Sequence, residues 1–181
     1  MREITFLRLR FKHLSLLLTI ASVTSGLDTR GAAAQTAAPS PAIGLAAPNF
    51  SRMNLNHKKI ELSAYRGKVV LLNFWATWCE PCLAEMPRFV QWQKRYGSPR
   101  FQIVGVSMDD TAPPVRTAYS RLQLNYPVVM GDERLGDAYG GILGLPVTYL
   151  IDGGGRIRAK YEGDANLESV ESEINRLLQS H

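Results

Sequence analysis

Residues 68–87, KVVLLNFWATWCEPCLAEMP, join an apolar run to a Cys-x-x-Cys pair, and the fold follows from what that junction demands. Val69, Val70, Leu71, Leu72, Phe74 and Trp75 include no Gly or Pro, the composition of a strand covered on both faces of a sheet. After Ala76 and Thr77 come Trp78-Cys79-Glu80-Pro81-Cys82, then Leu83, Met86, Phe89, Val90 and Trp92 at the spacing of one helix face. The cysteine pair therefore sits where a strand feeds a helix. There the first amides lack intrahelical partners and the helix dipole favours negative charge, so a thiolate is stabilised. Pro81 suits a first helical turn, where no N–H is needed, and two intervening residues let the sulfurs approach within bonding distance. Cys79 and Cys82 are the only cysteines in the chain, and this setting makes them a dithiol that cycles to a disulfide with little backbone movement.

Trp78-Cys79-x-Pro81-Cys82 after an apolar strand, with Pro87 five residues after Cys82, resembles the thioredoxin active site. The longer string from Asn73 to Cys82, followed by Glu85-Met86-Pro87, is similar to the TlpA/ResA-like branch of that family, exported thiol-disulfide oxidoreductases that act as reductants. The resemblance implies an α/β thioredoxin fold, a central mixed sheet flanked by helices. It also implies an N-terminal β-hairpin and a family-type insertion after the second core strand. Cys79 is then the nucleophile and Cys82 the resolving cysteine, supported by Trp78, Glu80, Pro81, Glu85, Leu145 and Pro146. Pro146, in Gly144-Leu145-Pro146-Val147-Thr148, matches the family's cis proline, which faces the cysteines and leaves the backbone of the preceding residue, Leu145, free to pair with an extended substrate. Glu85 lies one helical turn beyond Cys82 and matches a glutamate that tunes the family's thiols. Glu80, between the cysteines, is expected to be exposed. A carboxylate beside a thiolate disfavours it, so the sequence leans towards a reductant near thioredoxin's roughly −270 mV and away from a strong oxidant's roughly −120 mV.

Other chemistries for the pair fit less well. A structural zinc takes four Cys or His ligands, and besides the pair the chain offers only His13, His57 and His181. A purely structural disulfide closing so small a loop adds little stability. A peroxiredoxin-like enzyme shares the fold but needs a Thr three residues before its reactive Cys, whereas Thr77 is two before Cys79. A copper-binding chaperone of the thioredoxin fold uses a cysteine pair with a His or Met, at a different Cys spacing. The expectation is no metal and no cofactor beyond the redox-active disulfide.

The chain's first residues are unlike a domain. Arg2, Arg8, Arg10 and Lys12 precede an apolar run from Leu14 to Val23 and then Ala32-Ala33-Ala34, the pattern of a secretory signal, with an uncleaved membrane tether as the competitor. Residues 1–34 are thus expected to be a signal peptide or N-terminal tether, 35–48 an Ala/Pro-rich linker and 49–181 the thioredoxin-like domain. Residues 1–34 hold five of the 21 basic and two of the 16 acidic side chains, so the rest is close to neutral and carries no basic patch for nucleic acid. The expected setting is the periplasm or the extracytoplasmic face of a bacterial membrane. A monomer is expected there, acting on exported protein disulfides and recharged by a membrane electron-donor protein. Family members reduce apocytochrome c, copper-assembly proteins or other exported thiols.

Elsewhere the pattern predicts a hairpin over 49–62 with His57 in its turn, a helix from the cysteines to about Tyr96 kinked at Pro87, and a buried strand over Phe101 to Met108. A helix opens at Pro113-Pro114 and runs to about Leu122. A short strand near the surface spans Tyr126 to Met130, and about two helical turns span Asp132 to Tyr139. A strand from Tyr149 to Ile151 turns through Gly153 to Gly155 into a last strand, and a closing helix covers Asn166 to Leu178.

Overall fold

A computed structural model describes residues 41–97 and 99–180. The predicted signal or tether, and the linker as far as residue 40, lie outside the described residues.

The junction read first forms as expected. Strand β3 (Val69–Trp75) is buried along its whole length and passes through a short turn into helix α1 (Glu80–Tyr96). Before it come β1 (Ser51–Met53), β2 (Lys59–Glu61) and a 3-10 turn at Leu62–Tyr65. After α1 follow β4 (Phe101–Ser107), α2 (Ala112–Arg121), β5 (Val128–Met130), α3 (Glu133–Ala138), β6 (Val147–Ile151), β7 (Ile157–Glu162) and α4 (Leu167–Gln179). The five-stranded sheet has the order β5-β4-β3-β6-β7. β4 runs parallel to β3 and to β5, whereas β6 is antiparallel to β3 and to β7.

Alternate residues of β3 serve two cores. Val69, Leu71 and Trp75 pack with α1, α2 and α4, in the cluster that holds both cysteines, while Val70, Leu72 and Phe74 pack with the hairpin and α3. Gly105, in the middle of β4, leaves room for a large neighbour, because a Cβ there would stand 3.1 Å from Trp75 Nε1 and 3.2 Å from Val128.

The hairpin is a separate two-stranded sheet whose turn holds His57 at φ 58°. The Asn54 side-chain oxygen accepts hydrogen bonds from the backbone N–H groups of Asn56 and Lys58 and so shapes that turn.

Helix α1 ends at Tyr96 as expected and carries Pro87 in its interior, where the proline has no N–H to give Leu83 O. Two expectations change. β5 was expected near the surface, but Val128 and Val129 are buried, because the hairpin covers the sheet edge: Asn54 bridges Val129 and the Leu55 N–H donates to Val128 O. The linker was expected to reach residue 48, yet Gly44 to Ala47 dock on the start of β7. There the N–H groups of Gly44 and Ala47 donate to Ile157 O and Gly155 O, the Ile157 N–H donates to Leu45 O, and Ala47 joins the core. Backbone pairing depends little on side-chain type, so Ala/Pro-rich composition hides it.

Candidate active site

β3 and β4 are parallel and end side by side, with Trp75 in register with Ser107. β6 is antiparallel and begins there, with Val147 opposite Phe74, so the turn after β3, the loop after β4 and the loop before β6 meet at one end of the sheet. The cysteines lie in the first of these. Cys79 is the N-cap of α1, and its sulfur accepts the Cys82 N–H at 3.3 Å, one of the helix's otherwise orphaned donors. The two residues form a disulfide across 5.3 Å between Cα atoms. Cys79 is the less enclosed, at 5% exposure against 1% for Cys82. Pro81 occupies the first turn of the helix, Glu80 is exposed, and Trp78 stands 70% exposed beside the pair.

The loop before β6 delivers the second half of the site. The Leu145–Pro146 peptide is cis, Pro146 is buried, and Leu145 packs against the core that holds the cysteines. Pro146 O is taken by the Gly163 N–H, whereas neither backbone group of Leu145 has a partner among the described residues. Leu143, two residues earlier, is fully exposed.

Glu85 is more buried than a helix acid one turn from an active site would suggest, at 4% exposure. Burial pushes its pKa up to about 7, against the lowering effect of a hydrogen bond from the Ala165 backbone and with a further rise from Asp164. Its Oε2 has no hydrogen-bond partner among the described residues. The residues just before α4 therefore close over an acid that spacing alone left open to water.

A cluster absent from the sequence reading also lies here. The Asp109 carboxylate accepts hydrogen bonds from the Thr77 N–H at 3.0 Å, from the Thr77 hydroxyl, and from the Ser107 hydroxyl at 2.8 Å. The signal available was a polar Asp109-Asp110-Thr111 turn after a buried strand parallel to the one ending at the cysteines. Among the described residues, no group of three or more His, Cys, Asp or Glu is placed to hold a metal.

A disulfide at a helix N-cap, with a cis proline in a loop at the same end of a mixed sheet, defines a thiol-disulfide oxidoreductase of the thioredoxin fold. The chain belongs to the AhpC/TSA family, whose sequence profile matches residues 43–160. Within it the similarity is to ResA-type proteins. The thiol-disulfide oxidoreductase ResA of Bacillus thuringiensis subsp. konkukian is 35% identical over 137 residues, which cover 75% of this chain and 78% of that one. ResA of Bacillus subtilis is 40% identical over 115 residues, 63% of this chain and 64% of that protein. Among solved structures, a thiol:disulfide interchange protein of Chlorobium tepidum superposes with a TM-score of 0.69 at 31% identity, covering 76% of this chain and 98% of that one.

Proposed function

We propose that this oxidoreductase is a reductant of exported protein disulfides, working from the periplasm or the outer face of a bacterial membrane. The observation that carries the reading is Glu85, buried one helical turn beyond a cysteine pair at a helix start, where burial raises its pKa to about 7. The helix start stabilises one thiolate, and a partly charged carboxyl nearby opposes a second negative charge, which tilts the couple towards the disulfide.

Cys79, the less enclosed sulfur, attacks the substrate disulfide as a thiolate, forms a mixed disulfide and releases one substrate thiolate. Cys82 then gives up its proton and attacks Cys79 Sγ. The Cys79–Cys82 disulfide forms, the second substrate thiolate leaves, and two electrons have passed to the substrate. With its pKa near neutrality, Glu85 is suited to take the Cys82 proton. The oxidised pair is returned to the dithiol by a donor protein in the membrane that supplies two electrons. Leu145, with both backbone groups unpaired among the described residues, offers the edge on which an extended substrate segment lies. Apocytochrome c and copper-assembly proteins are the substrates that the family likeness favours.

The reading is tested by equilibrating the protein with a thiol redox buffer and by trapping partners. A potential near thioredoxin's roughly −270 mV is expected, and one near roughly −120 mV would overturn the reductant assignment. Cys82→Ser is expected to accumulate mixed disulfides with periplasmic proteins, and Cys79→Ser to accumulate none and to lose reductase activity. The opposite trapping pattern would reverse the roles of the two cysteines.

A further inference from the structure

The turn between β3 and α1 is held from outside itself. Thr77 is bound twice by Asp109, through its backbone N–H and its hydroxyl. Asp109 is only 8% exposed, and Ser107, fully buried at the end of β4, fixes it in turn: its hydroxyl donates to the carboxylate and accepts the Asp109 N–H at 3.2 Å. The Met108 N–H donates to Trp75 O at 2.8 Å, so the β4 loop is tied to the end of β3 at two successive residues.

Cys79 does not need this anchor. Its N–H donates to Ala76 O, its carbonyl accepts the Leu83 N–H, and its sulfur accepts the Cys82 N–H. What lies between the anchored Thr77 and the capped Cys79 is Trp78, a large apolar side chain standing mostly in water. An exposed indole whose backbone is fixed on both sides can receive a partner with little ordering cost, whereas a loose one would have to be ordered on binding.

We propose that Asp109, with Thr77 and Ser107, is a positioning residue for substrate specificity: it holds the turn so that Trp78 is presented as a rigid platform for polypeptide disulfides beside Cys79. This rests on the reductase reading above and adds to it a division of labour. The helix start serves the sulfur chemistry, and the Asp109 anchor serves recognition of a large substrate. A small disulfide that makes no use of Trp78 is indifferent to the anchor.

The experiment uses the reduced full chain with insulin as the polypeptide disulfide and cystamine as the small one. Trp75 and Trp92 are buried and Trp78 is exposed, so iodide-quenchable emission and its anisotropy report on Trp78. In Asp109→Asn and Thr77→Val, KM for insulin is expected to rise about tenfold, the scale of one lost charge-assisted hydrogen bond, while cystamine reduction stays within about twofold. Trp78 anisotropy is expected to fall in the same variants, and Thr77→Ser, which keeps the hydroxyl, is expected to behave as wild type. Equal losses on insulin and cystamine, or an unchanged KM for insulin, would overturn the proposal. If Asp109→Asn does not fold, Thr77→Val and Ser107→Ala carry the same comparison. A wild-type chain that reduces cystamine but not insulin would sink the protein-reductase reading, and the anisotropy would still show whether Asp109 holds Trp78.

Discussion

On the α3 side of the sheet, Phe74, Tyr139 and Tyr149 pack as three mutually tilted rings with centroids 5.2 to 6.2 Å apart, and both hydroxyls are used. Tyr139 donates to Pro48 O at 2.7 Å and Tyr149 to Tyr139 O at 2.6 Å. On the α1 side the rings are as deeply buried, but Trp75 Nε1, Tyr126 Oη and the carboxylate atom Glu85 Oε2 have no hydrogen-bond partner among the described residues. Buried polar atoms are nearly always paired, and orphaned ones concentrate where function overrides packing. Trp75 and Tyr126 lie in the core that contains Cys79 and Cys82, and Glu85 is on the helix that packs there, whereas on the α3 side the one such atom among the described residues is Arg52 Nε, in a guanidinium whose Nη2 pairs with Asp132. The aromatic hydroxyls on one face of the sheet are thus satisfied, and the other face carries a buried acid with one unpartnered oxygen, one helical turn beyond the redox pair.

The sharpest way to break this comparison is the pH dependence of stability. Burial raises the folded pKa of Glu85 from 4.5 to about 7, so between those values the folded protein holds a proton that the unfolded chain has released. Stability contributed by this group is complete below pH 4.5, falls as pH rises through that window and is flat above it, a loss of about 3 kcal/mol at 1.36 kcal/mol per pKa unit. Urea unfolding at pH 5 and at pH 8 is expected to show the loss in wild type and most of it gone in Glu85→Gln. The same slope in both proteins would place the titration elsewhere and remove the cost assigned to the α1 face.

What the sequence disclosed and what it hid divide along similar lines. The β3–α1 junction, the cysteine pair, the proline at 146, the hairpin turn at His57 and the closing helix were legible because each is a local pattern: a period, a cap or a turn residue. The Asn166 side chain, for instance, caps α4 by accepting the Ser169 N–H. The hidden features are contacts between segments far apart in the chain. Glu85 is enclosed by residues 164 and 165, Thr77 is held by Asp109, and Val129 is covered by Asn54. No periodicity encodes which loop will lie over which helix. The docking of Gly44 to Ala47 was hidden for a different reason, since its hydrogen bonds run between backbone groups that every non-proline residue carries.

A smaller effect separates the two faces at single hydroxyls. Tyr149→Phe removes a donor from a fully buried pair and leaves Tyr139 O without it, so it is expected to cost about 1–3 kcal/mol in chemical unfolding. Its reductase activity is expected to be unchanged, because Tyr149 packs in the cluster opposite the cysteines. A loss of activity matching the loss of stability would mean that the aromatic face also shapes the site.

The smallest effect expected is also the most discriminating. Tyr126 is 3% exposed and packs in the cysteine-bearing core, and burial holds its hydroxyl firmly protonated, yet that hydroxyl has no partner among the described residues. Removing a buried polar atom that makes no hydrogen bond removes only its desolvation penalty, so Tyr126→Phe is expected to be neutral or stabilising by up to about 1 kcal/mol. The same chemical change thus carries opposite signs on the two faces of one sheet. Glu85 acts electrostatically on Tyr126, so the variant also asks whether the two orphans are linked. If they are independent, Tyr126→Phe leaves the pH 5 to pH 8 stability difference as it is in wild type. A Tyr126→Phe protein destabilised as much as Tyr149→Phe would show that its hydroxyl is paired in solution, and the contrast between a satisfied face and an unsatisfied one would fail at the residue chosen to display it.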